Sequence, residues 1–142
     1  MQEWALWALA SAVFAALTAI FAKVGLDGID PDFATFIRTL VIAAALVLFL
    51  TYAKKWQPLG ELGARNWLFL TLSGLATGAS WLAYFKALQI GSASQVAPID
   101  KLSVVLVVVF AVMFLGERPS VREWIGIALI ASGVFTLVFA DK

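Results

Sequence analysis

Five long stretches without a charged residue divide this sequence, and they restrict what the chain can fold into. They run from Trp4 to Ala22, Thr39 to Ala53, Asn66 to Phe85, Leu102 to Gly116 and Trp124 to Ala140. A helix needs about 20 residues to cross a hydrocarbon core of about 30 Å. Hydrophobic residues make up 63% of the chain and charged residues 13%, against roughly 45–50% and 25% in soluble domains. The stretches therefore indicate membrane spans.

The second and fourth stretches are too short to cross the membrane unaided. Both contain 15 residues, so their helices must extend backwards across Arg38 and across Lys101, which places both side chains inside the membrane edge. We expect helices at about 4–24, 33–53, 66–87, 96–115 and 121–140. The sequence thus predicts an all-α membrane protein with five transmembrane helices, folded as one domain over residues 1–142 in the lipid bilayer of a cell membrane.

Local signals mark three of the helix starts. Asp30 followed by Pro31 offers an N-cap and a proline at the first helical position of the second helix. Ser120 and Glu123 have the spacing of a capping box, which predicts the start of the fifth helix. Ser92 or Ser94 can cap the fourth helix, and Pro98 is expected in its first turn, where a missing N–H has little effect.

The composition excludes several functional classes. The chain contains no cysteine and no histidine, so thiol ligation, disulfides and Ser/His or Cys/His nucleophiles are absent. No pair of deep carboxylates suggests general acid–base chemistry, so we expect neither an enzyme nor a cofactor or metal. The net charge of +1 provides no field that would attract a nucleic acid.

The positive charges do not fix an orientation in the membrane. Five spans place the termini on opposite faces; we name the N-terminal face side A and the other side B. Lys and Arg residues divide equally, as Lys54, Lys55, Arg65, Arg118 and Arg122 on side A and Lys23, Arg38, Lys86, Lys101 and Lys142 on side B. A tie predicts weak or dual insertion. If Arg38, Lys86 and Lys101 count as membrane residues, side A is expected to be cytoplasmic.

Polar residues follow one face of the third helix. Ser73, Thr77, Trp81 and Tyr84 recur at helical spacing and could form the wall of a passage. Alternatively, the hydroxyl groups bond to carbonyls of the preceding turn and Tyr84 belongs to an aromatic belt. Beside this stripe, Gly74 and Gly78 are spaced to allow another helix to approach closely.

A group of charges gathers on side B. Arg38, Lys86, Asp100 and Lys101 lie near the starts of the second and fourth helices and the end of the third. A charge inside a span normally faces a cavity or a partner. Arg38 and Lys101 are therefore candidates for holding an anionic group, although both could instead snorkel or pair with Asp100. We expect Lys86 to be structural, and Asp100 is the deepest carboxylate.

The stretch from Ala87 to Val138 resembles a known family. The EamA-type drug/metabolite transporter superfamily has a proline near the start of its fourth helix, Gly-Glu-Arg at its end, and an Ile-Gly then Gly-Val pattern in its fifth. The corresponding residues are Pro98, Gly116, Glu117, Arg118, Gly126 and Gly133. The second helix, with Arg38, is also similar to the Arg-bearing second helix of the family.

This resemblance implies transport of small organic metabolites. Most members have ten spans in two inverted five-helix repeats around a central cavity, whereas this sequence has one repeat. One repeat could obtain the same geometry in an antiparallel homodimer that works by alternating access as an exporter or exchanger. Gly126 and Gly133 would then serve helix packing, as Gly74 and Gly78 do.

For such a transporter, the excess of Arg and Lys in the side B group and the stripe on the third helix suggest which residues contact an anionic or zwitterionic substrate. Arg38 and Lys101 would hold its charged group beside Asp100, and Trp81 and Tyr84 would stack on its organic body. Four hydroxyl residues would line the passage, namely Ser11, Thr18, Ser73 and Thr77. An alternative function is lipid-linked flipping or a non-transporting accessory subunit, since short relatives of this superfamily move lipid-linked sugars.

Overall fold

A computed structural model describes residues 3–139 of the chain, which contain five helices of membrane-spanning length. These are α1 (Glu3–Gly25), α2 (Pro31–Tyr52), α3 (Ala64–Ile90), α4 (Ala93–Leu115) and α5 (Val121–Val138). A short 3-10 turn, Leu59–Glu61, precedes α3. No strand occurs among the described residues, so the predicted all-α class with five spans is confirmed. The predicted end of the last helix at residue 140 and the Lys142 charge lie outside them.

Two helix starts have the predicted caps. At α2, the Asp30 carboxylate accepts hydrogen bonds from the backbone N–H groups of Asp32 and Phe33, at 2.9 and 3.1 Å, and Pro31 is the first helical residue. At α5, Ser120 and Glu123 form a reciprocal capping box. Each cap pairs N–H groups that have no partner within the first helical turn.

Helix α4 differs from the prediction in two respects. It begins at Ala93, three residues before the expected start, so Pro98 lies inside the helix and not in its first turn. The regular helix ends at Asp100 and resumes at Leu102. At this interruption, Lys101 N–H donates to the Pro98 carbonyl at 3.0 Å. Pro98 cannot donate to the carbonyl four residues earlier and its ring crowds that preceding turn. The break at Lys101 lies after the proline and is a change from i−4 to i−3 hydrogen bonding.

The same helix ends in a wider turn. Residues Ala111–Leu115 form a π-helical turn, followed by Gly116 in the left-handed region at φ 68°. The Glu117 N–H donates across this end to the Ala111 carbonyl at 3.2 Å. A glycine adopts this backbone conformation without the clash that a side chain would cause.

The chain divides into two compact units, and each is described by itself. One unit is Ile20–Ile90 and the other comprises residues 3–19 and 91–139 of the described chain. In the second, α4 packs on α5, with Ala111 and Val134 buried. Whether the units form the single domain expected from the sequence stays a prediction.

In the Ile20–Ile90 unit, α2 packs on α3 and the buried residues gather at one end. They are Leu26, Pro31, Thr35, Phe85 and Leu88, and all belong to the side B ends of the helices or to the loop between α1 and α2. Residues 39–80 contain no buried residue. This unit is therefore closely packed toward side B and loosely packed toward side A.

Large apolar side chains cover most of the described surface. Trp7, Phe14, Leu48 and Phe114 are all more than two-thirds exposed, and many other Leu, Val and Ile side chains are more than half exposed. Only six apolar residues are buried among residues 3–139. Such a core is too small to hold the helices together in water, whereas a bilayer solvates the apolar surface and favours helices whose backbone groups are paired internally.

Candidate functional site

The central feature of the Ile20–Ile90 unit is an arginine packed against two aromatic rings. Arg38 on α2 reaches α3, where its Cζ atom lies 4.2 Å from the centroid of the Trp81 ring and 4.9 Å from that of Phe85. Trp81 and Phe85 are four residues apart, so their rings lie on one face of α3 in successive turns. We name these three residues the arginine cluster.

One nitrogen of the arginine cluster has no acceptor. The Arg38 side chain is partly buried, and its Nη1 atom is buried without a hydrogen-bond partner among the described residues. The rings supply attraction to the positive charge but no oxygen that could accept its protons. A buried donor without an acceptor destabilises a protein by about 1–3 kcal/mol. The cluster is therefore a cationic site with unused hydrogen-bonding capacity.

Tyr84 belongs to the surroundings of this cluster. Its ring meets Phe85 edge-on with the centroids 6.4 Å apart. Of the predicted site residues, the structure thus brings Arg38 and Trp81 into contact and places Tyr84 against the third ring of the cluster. Their use in binding a substrate stays a prediction.

Phe85 is the residue of the cluster that the sequence interpretation did not include. It is 3% exposed, and in the sequence it appears only as the last residue of an apolar stretch. Its spacing of four from Trp81 is the signal that could have identified it, because that spacing places two rings on the same face as the predicted stripe.

The hydroxyl groups of Ser73 and Thr77 on α3 do not by themselves indicate the wall of a passage. The Thr77 hydroxyl donates to the Ser73 carbonyl at 2.9 Å, which is the local bond that the alternative interpretation predicted. The Ser73 side chain is exposed. An exposed Ser73 and an internally bonded Thr77 fit a lipid-facing surface as well as a passage, so their role in transport stays a prediction.

The second predicted cation belongs to the other unit. The Lys101 ammonium lies 3.2 Å from a carboxylate oxygen of Asp100, and the two side chains are 54% and 37% exposed. This is the ion pair that the sequence left open as an alternative to a substrate contact. Ser11 is exposed and Thr18 partly buried in the same unit. An approach of these residues to the arginine cluster stays a prediction.

The four glycines assigned to helix packing have open surroundings. A β-carbon added at Gly74, Gly78, Gly126 or Gly133 would meet no heavy atom within 4 Å among the described residues, apart from the helix itself and its chain neighbours. In the described residues, no helix of the same unit therefore lies close to any of these glycines. Packing against another helix stays a prediction, and it requires a helix from beyond that unit.

Acidic residues do not assemble into a metal centre in the described part of the chain. Residues 3–139 contain no group of three His, Cys, Asp or Glu side chains that could hold an ion. The candidate site is thus a cation bracketed by aromatic rings, a type of site suited to non-covalent binding of an anion.

Comparisons with known proteins agree with this description. A relative from Sinorhizobium sp., named an uncharacterized transporter in the cobO 3' region, is 56% identical over 136 residues, which cover 96% of each chain. The uncharacterized transporter YxxF of Bacillus subtilis (strain 168) is 28% identical over 135 residues, which cover 94% of this chain and 42% of that protein. No solved structure matches the chain.

The family comparison covers almost the whole sequence. The EamA-like transporter family matches residues 2–139, a range that includes all five helices. The resemblance seen in the fourth and fifth helices is therefore confirmed, and the family and the names of both relatives support membrane transport. This chain, a multi-pass membrane protein with an aromatic-bracketed arginine between two of its helices, belongs to the EamA-like transporter family.

Proposed function

We propose that the protein moves small anionic or zwitterionic metabolites across the membrane, and that the arginine cluster contacts the substrate. The observation that carries this proposal is the partly buried Arg38 guanidinium, which stacks on Trp81 while its Nη1 atom has no acceptor among residues 3–139. A charged side chain inside a span is unfavourable by at least about 2.5 kcal/mol unless it serves a partner or a cavity.

The chemistry of the cluster favours an anion with an apolar body. A carboxylate or phosphate would provide the oxygen acceptors that Arg38 lacks in the described chain, and a guanidinium binds such groups through two parallel hydrogen bonds. Trp81 is partly exposed and could stack on the organic part of the substrate. An organic cation would meet repulsion from Arg38 at the same place.

Assembly as an antiparallel homodimer completes the proposal. The match with this chain covers 96% of the length of the Sinorhizobium relative but 42% of the length of YxxF. This difference is expected if five helices form one repeat in the shorter proteins and part of a longer arrangement in YxxF. Two copies in opposite orientations would give the inverted symmetry that alternating access uses, with the protein acting as an exporter or exchanger.

Transport by reconstituted protein tests the substrate assignment. Liposomes are loaded with a panel of carboxylates, amino acids, organic phosphates and organic cations, and exchange is measured with wild-type protein, Arg38→Gln, Trp81→Ala and Lys86→Gln. We expect anionic or zwitterionic solutes to exchange, and Arg38→Gln to slow exchange about tenfold or more because a hydrogen bond to a charged group is lost. Trp81→Ala should weaken binding by about 1–3 kcal/mol.

Lys86 supplies the matched control. It lies on the same side of the membrane, is exposed, and Lys86→Gln removes one positive charge as Arg38→Gln does. Exchange should stay at the wild-type rate in this variant. Equal losses in the two charge variants, or exchange of organic cations alone, would contradict the assignment. Movement of lipid-linked sugars without exchange of soluble metabolites would favour flipping instead.

Labelling from both sides tests the assembly. The chain contains no native cysteine, so single cysteines at Gly60 in the α2–α3 loop and at Asp27 in the α1–α2 loop report orientation without background. Each should react from both faces of the membrane in intact cells and inverted vesicles, because half of the copies point each way. Labelling of each position from one face only would exclude the antiparallel arrangement.

A further inference from the structure

Two hydrogen bonds join the end of α3 to the α1–α2 connection, one to the last turn of α1 and one to the loop that follows it. We name residues 26–30 the strap. The Lys23 ammonium, at the end of α1, donates to the Leu88 carbonyl at 2.6 Å, and the Gln89 side-chain amide donates to the Ile29 carbonyl at 3.3 Å. These bonds join positions 65 and 60 residues apart. Carbonyls in the last turn of a helix lack helical partners, so the Leu88 oxygen is available for such a bond.

The strap covers an apolar layer at the side B end of the unit. Leu26 is 4% exposed and Leu88 is fully buried. Thr35 is also buried, and its hydroxyl donates to the Pro31 carbonyl at 2.8 Å. A layer of this kind excludes water from the space between the helix ends.

This layer lies between the arginine cluster and side B. Along α3, Leu88 follows Phe85 by one turn toward side B, and on α2 Thr35 precedes Arg38 by one turn. Toward side A, by contrast, residues 39–80 contain no buried residue. Within this unit, the arginine cluster is therefore closed toward side B and open toward side A.

The strap has space into which it can move. A half-open cavity of about 440 Å³ adjoins it, lined by Lys23, Asp27, Gly28 and Gln89 among others. Gly28 has a φ of 69°, in the left-handed region that glycine adopts without a side-chain clash. A loop with such a glycine beside an open space has room to change its conformation.

We infer that the strap is the side B gate of the arginine cluster: Gln89 holds the strap itself, and Lys23 holds the end of α1 from which the strap begins. This inference rests on the proposed transport function, because a gate requires a path. Opening breaks two hydrogen bonds and exposes Leu26 and Leu88, while the helices keep their backbone bonds. The gate regulates access to Arg38 from one side of the membrane.

Thiol reactivity of a buried reporter tests the gate without any substrate. Thr35 is buried and lies on α2 between the strap and Arg38 along the chain. Thr35→Cys therefore places a thiol at the buried end of the unit, and its reaction with a maleimide is timed on purified protein in detergent. The reporter is combined with Lys23→Met, with Gln89→Leu, or with the matched control Lys86→Met, which removes an exposed lysine near the same helix end. Thr39→Cys, exposed one turn further along α2, reports general access.

If the strap is a gate, Thr35→Cys reacts slowly in the parent and about tenfold faster with Lys23→Met, because the lost bond involves a charged donor. Gln89→Leu should accelerate it severalfold, and Lys86→Met should have no effect. The rate for Thr39→Cys should not change in any background. If one of the two bond-breaking variants, Lys23→Met or Gln89→Leu, does not fold, the other is sufficient for the test.

Two results would overturn the inference. A Thr35→Cys rate that is fast in the parent, or unchanged by both bond-breaking substitutions, means that the strap does not control access. If Lys86→Met also accelerates the reaction of Thr35→Cys, or if the bond-breaking substitutions also accelerate the reaction of Thr39→Cys, the whole unit has loosened. Neither result depends on metabolite exchange, so failure of the gate is distinguishable from failure of the transport proposal.

Discussion

The contact between Arg38 and Trp81 should appear as a measurable coupling in the free energy of unfolding. Cation–π contacts contribute about 0.5–1 kcal/mol at exposed sites and about 2 kcal/mol where water is excluded. Arg38 is partly buried and lies 4.2 Å from the Trp81 centroid. We therefore expect a coupling energy of about 1–2 kcal/mol between Arg38→Gln and Trp81→Leu in a double-mutant cycle.

The single substitution Arg38→Gln should have a much smaller effect than this coupling. It removes the attraction to two rings, but it also removes a buried Nη1 donor that has no acceptor in the described chain, and such a donor is unfavourable by about 1–3 kcal/mol. The two contributions have opposite signs and similar sizes. The net change in the free energy of unfolding should thus lie within about 1 kcal/mol of zero.

Reversible unfolding in mixed detergent micelles measures all four proteins of the cycle. A second cycle within the same unit provides the control, because Arg65 lies 5.9 Å from the Phe69 centroid and both side chains are exposed. The Arg65→Gln and Phe69→Leu pair should couple by less than about 0.5 kcal/mol. Equal coupling in the two cycles, or none for Arg38 and Trp81, would refute the reasoning that the bracketed arginine is held by its rings.

Three further outcomes follow from the described contacts. Asp100→Asn and Lys101→Gln should each change the free energy of unfolding in detergent by less than about 1 kcal/mol, because their ion pair is largely exposed. If either single variant loses several kcal/mol and the double variant restores the stability, the pair is buried instead. Gly78→Ala should stabilise the isolated chain by about 0.5–1 kcal/mol, since the added carbon meets no atom within 4 Å, and it should weaken self-association in crosslinking if this face packs against a second copy. Ser120→Ala removes the cap of α5 and should lower stability by about 1 kcal/mol in the same unfolding assay.

The membrane spans could be predicted because their physical cause is local. A helix that crosses a hydrocarbon core needs a minimum number of consecutive apolar residues, and a run of this length without charges can be seen directly in the sequence. The caps at Asp30 and Ser120 are equally local, since each depends on residues within three positions of the helix start. These features appear in the structure where the sequence placed them.

The course of α4 could be read from such signals only in part. Ser92, one of the two candidate caps, is the N-cap residue, but the start expected from hydropathy at residue 96 was too late, because Ser94 and Gln95 are polar and yet helical. Pro98 was therefore placed in a first turn that in fact begins three residues earlier. The change to i−3 hydrogen bonding at Lys101 lies after the turn that the proline itself disrupts.

The arginine cluster could be predicted from the sequence only in part. Helix rise per residue gave Arg38 and Trp81 similar depths, so their proximity along the membrane normal could be predicted. Depth does not determine which face of α2 meets which face of α3, because helix rotation depends on packing between the two. The contact with Phe85, and the absence of an acceptor for Nη1, are consequences of that rotation.

The uneven packing of the Ile20–Ile90 unit also bears on why two copies would be useful. Opening toward side A separates few protein contacts, since residues 39–80 contain no buried residue, and apolar helix surfaces are solvated by lipid as well as by each other. Opening toward side B must expose Leu26, Phe85 and Leu88 and break the bonds of Lys23 and Gln89. If the strap is a gate as proposed, one copy has a gate at its side B end only. In the proposed antiparallel pair, the straps of the two copies face opposite compartments, so that alternating access requires one strap to open while the other stays closed.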